Sequence, residues 1–235
     1  MSSPRLRPPD HSPHRQALLW TGGVAAAAAL VLLFLVADRW SPLMSLDRAV
    51  ADATHRHAVA DPGLVRVSRV LTDWVWDPWT MRALIAAAVI ALWWRGARPL
   101  ALWVAATSLL ASLLQQGLKA AVDRERPQWP DPVDTAHYAA FPSGHAMTAV
   151  VSCGLLVWLL RLSGAAPGVR YTALAVAVVS AVGVAATRVY LGVHWLTDVV
   201  GGGLLGVAVV AFSVAGYARY ATPPVPVEEQ RPLRA

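Results

Sequence analysis

Lysine and cysteine are almost absent from this chain, and charge of either sign is scarce. Of 235 residues, 14% are charged and 20 are Lys or Arg. Only one of these is lysine, Lys119, so a chain that otherwise uses arginine keeps a single ammonium at one place. The one cysteine, Cys153, lies inside an apolar stretch, and a lone thiol builds neither a disulfide framework nor a thiolate metal site. A formal charge of +6 and a pI near 10.2 invite a nucleic-acid reading. No basic cluster alternates with aromatic residues, however, and the arginines sit between apolar runs, which argues for an anionic bilayer and against nucleic acid. No internal repeat is visible. What is abundant is apolar surface: 56% of residues are hydrophobic and the mean hydropathy is +0.47, more than a water-soluble domain of this size can hide. The composition is that of a membrane protein.

About 20 helical residues cross a hydrocarbon core. Apolar runs of suitable length fall at 17–37, 80–94, 99–118, 145–162, 171–190 and 198–218, which predicts an all-α polytopic protein with six transmembrane helices. The first run is longer than a signal-peptide core, and "LFLVADRW" offers no small-x-small cleavage site, so an uncleaved anchor is expected. The second is short, but Trp79 precedes it and Trp93 and Trp94 follow it, as interfacial aromatics do. Trp20, Trp40, Trp129 and Trp195 also fall near expected boundaries. Residues 41–79 form the one long connection. Leu46, Ala49, Val50 and Ala53, then Leu64, Val65, Val67, Val70 and Leu71 after Pro62, recur at helical spacing, which predicts two short interfacial helices broken at Pro62. Residues 1–16 and 221–235 read as flexible ends around a membrane domain at 17–220.

The remaining polar residues collect in three places: "KAAVDRERP" at 119–127, "PSGH" at 142–145 and "TRVYLGVHWLTD" at 187–198. With six spans, the third and fifth connections lie on the same side of the membrane, so all three clusters share one face. Each suits a phosphate ligand. Lys119 and Arg126 are two helical turns apart and are expected to point to one side before Pro127 ends the helix. Arg188 adds a third cation, and guanidinium forks match phosphate oxygens. Ser143 and Gly144 precede a helix whose first N–H groups are unpaired and anion-seeking, which places His145 in the first turn as a proton donor. His194 and Asp198, four apart, let the carboxylate hold Nδ1, leave Nε2 free to attack, and raise the ring's pKa. Gly192 is expected to supply the turn that lets Arg188 face the same pocket as His194. A metal site needs a third convergent ligand, and the neighbouring cations oppose one.

These segments resemble the three-part signature of the type 2 phosphatidic acid phosphatase family: lysine, six residues, Arg-Pro; Pro-Ser-Gly-His; and Ser-Arg, five residues, His, three residues, Asp. The motifs cover Lys119 to Asp198, and both internal spacings agree. Thr187 departs from the pattern, standing where the family has serine; the hydroxyl is kept, and the added methyl is expected to alter packing around Arg188. The resemblance implies a metal-independent, cofactor-free hydrolase of lipid phosphomonoesters or diphosphates. On that pattern His194 attacks phosphorus to give a phosphohistidine, Asp198 orients it, and His145 protonates the leaving oxygen. Lys119, Arg126, Ser143, Gly144 and Arg188 hold the phosphoryl oxygens.

Two other readings use the same residues. A lipid phosphotransferase passes the phosphoryl group to a lipid hydroxyl, and a transporter or binder of anionic head groups uses the cations but not two differently supported histidines. Phosphatidate and undecaprenyl diphosphate are not distinguished by the sequence. Lys and Arg are tied at ten on each side of the membrane. Setting aside the three motif cations, "RGAR" at 95–98 and Arg161 with Arg170 mark the short loops as cytoplasmic, with both termini inside and the site facing outward.

Overall fold

The computed structural model describes residues 12–221. Within them the chain forms α1 (Ser12–Ala37), α2 (Ser41–Ala60), α3 (Pro62–Val70), a π-helical turn (Leu71–Val75), α4 (Pro78–Trp94), α5 (Arg98–Val122), α6 (Gly144–Leu162), α7 (Pro167–Tyr190) and α8 (Leu196–Ala221). No strand occurs among the described residues. Residues 12–16 and Ala221, expected to be flexible, are helical; the rest of the two expected flexible ends, 1–11 and 222–235, lies outside the described residues.

Six helical runs are long and apolar enough to cross a membrane, and each contains one of the expected runs. The second is Pro62–Trp94, longer than the sequence pattern suggests because α3 and the π turn lead into α4. α4 alone, at 17 residues, extends about 25 Å, short of a hydrocarbon core of about 30 Å. Its start is sharp: the Asp77 carboxylate accepts the Trp79 and Thr80 N–H groups at 2.7 and 3.1 Å, and Pro78 takes the first helical position.

α6 is the hub, packed against α4, α5, α7 and α8, while α1 lies on the outside of α8. Ile85, Leu100, Val104, Ala111, Met147, Val151, Leu155 and Trp158 make the main core. Leu102, Leu109, Leu110 and Leu113 on α5 and Val176, Val179 and Val182 on α7 remain exposed. Water would penalise such faces and lipid does not, so this is an integral membrane protein. Without a hydrophobic drive between helices in lipid, close approach needs small residues. α8 supplies them: a Cβ on Gly202 would stand 2.5 Å from the Ser143 carbonyl oxygen, and one on Gly206 would stand 2.9 Å from Val150. α8 is thereby pressed onto the N-terminal half of α6.

The 41–79 connection breaks at Asp61 and Pro62 as expected, and Asp61 caps α3 by accepting the Leu64 N–H at 2.9 Å. On α2 the buried face is not the apolar set read from the sequence, whereas α3 buries Val65 from that set. Leu46 is exposed, and α2 buries Asp47, Ala51, His55 and Ala58. α2 packs on α7 and α8, and its buried polar side chains find partners on α8 and in the loop after α5, Asp47 with Thr197 and Arg124 and His55 with Asp131.

Candidate active site

The three polar segments meet at one end of the bundle, where α5 and α7 finish and α6 and α8 begin. α5 stops earlier than Pro127 suggests. Asp123 adopts a left-handed conformation, φ 43°, and closes the helix at Val122, so Arg126 reaches the site from a loop and not from the helix that carries Lys119. Lys119 still occupies the last turn, where its ammonium donates to the Ala139 carbonyl. Arg126 Nε donates to the Tyr138 carbonyl at 2.8 Å, and its Nη1 lies 3.2 Å from His194 Nε2. Burial pulls the Arg126 guanidinium below its ordinary pKa, with Asp198 opposing.

Ser143 caps α6 and Gly144 opens it. The Ser143 N–H donates to the Asp198 carbonyl at 2.9 Å, which ties the start of α6 to the first turn of α8. The Ser143 hydroxyl is buried and has no partner in the protein. His145 follows in the first turn, where the charges of Arg188, Arg126 and Lys119 and the ring of His194 all act on it. Arg188 ends α7 with 5% of its surface exposed. Its Nη1 lies 3.5 Å from the Thr72 hydroxyl in the π turn, and its Nε is buried without a partner. A π turn at such a place is a common feature of functional sites. Thr187 turns its hydroxyl back along its own helix, donating to the Val184 carbonyl at 3.0 Å, so that hydroxyl does not enter the site.

Gly192 makes the turn between α7 and α8 with φ 69°, a conformation that strains any side chain, and a Cβ there would meet the Trp129 indole at 2.6 Å. His194 stands just before α8 and is 1% exposed; Asp198 lies in the helix's first turn and is fully buried. Nδ1 faces Asp198 Oδ2 at 3.2 Å. With Arg126 donating toward Nε2 and the carboxylate accepting at Nδ1, the ring's lone pair sits on Nε2. The expected rise in pKa from Asp198 is overturned: burial, with the charges of Arg126, Arg188, Lys119 and Arg124, pushes the imidazole well below its ordinary value. One carboxylate does not offset desolvation plus four cations.

Several residues at this end of the molecule were not read as site residues. Arg124, within "KAAVDRERP", donates to Asp198 Oδ1 at 2.6 Å and to the buried carboxylate of Asp47 at 2.7 Å. A second arginine two positions before the motif arginine was the available signal; Asp47 offered none at 77 residues' separation. Trp129 and Trp195 fall near expected boundaries yet pack here, Trp129 stacked on His55 at 3.9 Å and donating to the Gly192 carbonyl, Trp195 donating to the Glu125 backbone carbonyl. His55 also pairs with Asp131 at 3.1 Å, which lowers the Asp131 pKa. Among the described residues no group of three or more His, Cys, Asp or Glu gathers as a metal site requires.

The family model of the PAP2 superfamily matches residues 100–220, from α5 through α8, and contains all three motif segments. Phosphatidylglycerophosphatase B of Bacillus subtilis (strain 168) is 38% identical over 110 residues, 45% of this chain. The match spans about half the length of that relative, 51%. A solved transmembrane PAP2-type phosphatidylglycerolphosphate phosphatase from Bacillus subtilis superposes with a TM-score of 0.72 at 25% identity, covering 92% of this chain and 100% of the other. The shared architecture runs beyond the motif region into α1 to α4, and with more than half of its length under the family model this chain belongs to the PAP2 superfamily.

Proposed function

We propose that this chain is a membrane lipid phosphate phosphatase that works through a phosphohistidine. The observation that carries the reading is a pair of buried donors without partners, Ser143 Oγ and Arg188 Nε, in the segments that flank a histidine whose Nδ1 is held by a carboxylate. Buried donors lacking partners are costly unless a ligand completes them. A phosphoryl group offers the oxygens. It also suits Lys119 and Arg126, whose contacts with the carbonyls of Ala139 and Tyr138 a phosphate would replace. Charged donors on the three equatorial oxygens stabilise the transition state by position and charge.

In this mechanism His194 Nε2 attacks phosphorus, a P–N bond forms and the P–O bond to the lipid breaks. His145 gives its proton to the departing oxygen. Water then attacks the phosphohistidine, His145 takes a proton from it, and the P–N bond breaks to release inorganic phosphate and the neutral ring. No step requires a metal or cofactor. The names of the relatives make a phosphatidylglycerophosphate-like monoester the first substrate to try, with phosphatidate and undecaprenyl diphosphate beside it. Both termini are assigned to the cytoplasmic side and the site to the outer face, following the arginines of the short loops.

The test is phosphate release by the detergent-solubilised chain on those three lipids, with a lipid hydroxyl acceptor present in a parallel reaction. Free phosphate from at least one lipid supports the reading. Binding without turnover returns the site to a head-group binder, and label passing to the acceptor lipid makes it a phosphotransferase.

A further inference from the structure

Asp198 has two carboxylate oxygens, and the fold uses them differently. Oδ2 faces His194 Nδ1 and accepts the Trp195 N–H at 2.9 Å, while Oδ1 accepts Arg124 Nη1 at 2.6 Å. Arg124 reaches further. Its Nη1 also donates to the Thr197 hydroxyl at 2.7 Å, and its Nη2 donates to Asp47 Oδ2 at 2.7 Å. Asp47, on α2, accepts the Thr197 N–H at 3.0 Å and the Thr197 hydroxyl at 2.5 Å. Asp47 is 1% exposed and Asp198 is fully buried. The guanidinium also lies over the Trp195 ring at 5.5 Å.

Two buried carboxylates therefore share one guanidinium, and the ionised chain carries one net negative charge. An arginine bound to Asp198 alone would cancel the charge that has to support the imidazolium once Nε2 is bonded to phosphorus. Asp47 draws part of that arginine away and restores the balance. The threonine between them fixes the geometry, because its hydroxyl donates to Asp47 while accepting from Arg124.

We infer that Asp47 and Arg124 are positioning residues for phosphoryl transfer: they hold the Asp198 carboxylate against His194 and maintain the negative charge that supports the attacking ring. The inference rests on the phosphatase reading of the site. Both residues act through Asp198. The charged and titratable groups around His194 are Asp198 from α8, Arg188 from α7, Lys119 from α5, His145 from α6, and Arg124 and Arg126 from the loop after α5. Lysine in place of Arg124 keeps the charge but loses the fork that bridges two carboxylates.

The test is Asp47→Asn in the full-length detergent-solubilised chain, beside the wild type, on an aryl phosphate and a lipid phosphate. Asparagine keeps the shape and removes the charge. The expected result is a kcat about tenfold lower on both substrates, ~1.4 kcal/mol in the barrier, with KM within about twofold. Phosphoenzyme should form more slowly by the same factor. The acidic limb of kcat/KM should also move to lower pH, because His194 is harder to protonate with a nearby negative charge removed, and a packing defect alone does not move it. Arg124→Lys should lower kcat in the same way and carries the test if Asp47→Asn does not fold. Adding Asp47→Asn to Arg124→Lys should cost little more, since the first acts through the second. Unchanged kcat, a loss confined to KM, an unmoved acidic limb in Asp47→Asn, or additive effects of the two substitutions overturn the inference. Absence of phosphate release from the wild type removes the phosphatase reading and this inference with it, whereas wild-type release with an unaffected Asp47→Asn variant removes the inference alone.

Discussion

Adjacent glycines in α8 allow a prediction in which two nearly identical substitutions behave differently. A Cβ on Gly202 would lie 2.5 Å from the Ser143 carbonyl oxygen and 3.3 Å from the Met147 nitrogen, both backbone atoms at the start of α6. A Cβ on Gly203 would meet nothing within 4 Å. Backbone cannot swing aside as a side chain does, so Gly202→Ala must push α6 and α8 apart by about 0.9 Å to reach ordinary contact. Overpacking of this kind costs ~1–3 kcal/mol of stability. The segment that moves carries Ser143, Gly144 and His145, and its Ser143 N–H is bonded to Asp198. A misplacement of about 1 Å at a reacting centre costs roughly a hundredfold in rate. Gly202→Ala should therefore lower kcat by about 10- to 100-fold and lower the unfolding midpoint, while Gly203→Ala should match or slightly exceed wild-type stability because alanine is the better helix former. The assay is phosphate release in detergent with thermal unfolding of the same samples. Equal activity in the two variants would refute the argument that α8 sets the position of the α6 N-terminus by contact with the Ser143 carbonyl.

Lys119→Ala should reduce turnover by about a hundredfold or more while the protein remains folded, the scale of losing one transition-state donor; near wild-type turnover would make the lone lysine incidental. His145→Ala should retain measurable activity on an activated aryl phosphate, lose it on an alkyl lipid phosphate, and still yield an acid-labile phosphoenzyme on rapid quenching at high pH. His194→Ala should turn over neither substrate and yield no phosphoenzyme, and a phosphohistidine trapped from it would show that the nucleophile is elsewhere. Because burial and four cations depress the His194 pKa, the ring remains neutral until the pH falls well below its ordinary value of 6.5. The acidic limb of kcat/KM on an aryl phosphate is therefore expected below that value, and a midpoint above it would contradict the charge arrangement. Turnover should survive EDTA unchanged, since the cations supply the charge stabilisation; loss in EDTA restored by Mg²⁺ would remove that role from them.

Sequence alone determined whatever depends on local pattern. Apolar length marked six crossing helices, because the hydrocarbon core imposes one length on every span. The four-residue spacing of His194 and Asp198 pointed to their pairing, although His194 stands just before α8 and meets a carboxylate of that helix's first turn from the connecting loop. Gly192 was readable as a turn. Tertiary structure decided the rest. Asp123 closes α5 in a left-handed conformation, so Arg126 arrives from a loop although its spacing from Lys119 suggested one helical face. α2 turns Asp47 inward because Arg124 and Thr197 offer it partners, and a carboxylate among apolar positions does not announce a partner 77 residues away. The pair alone suggests the wrong direction for the His194 pKa. Its pKa is set by how completely packing removes water and how many cations converge, and both are sums over five separate segments brought together by the fold.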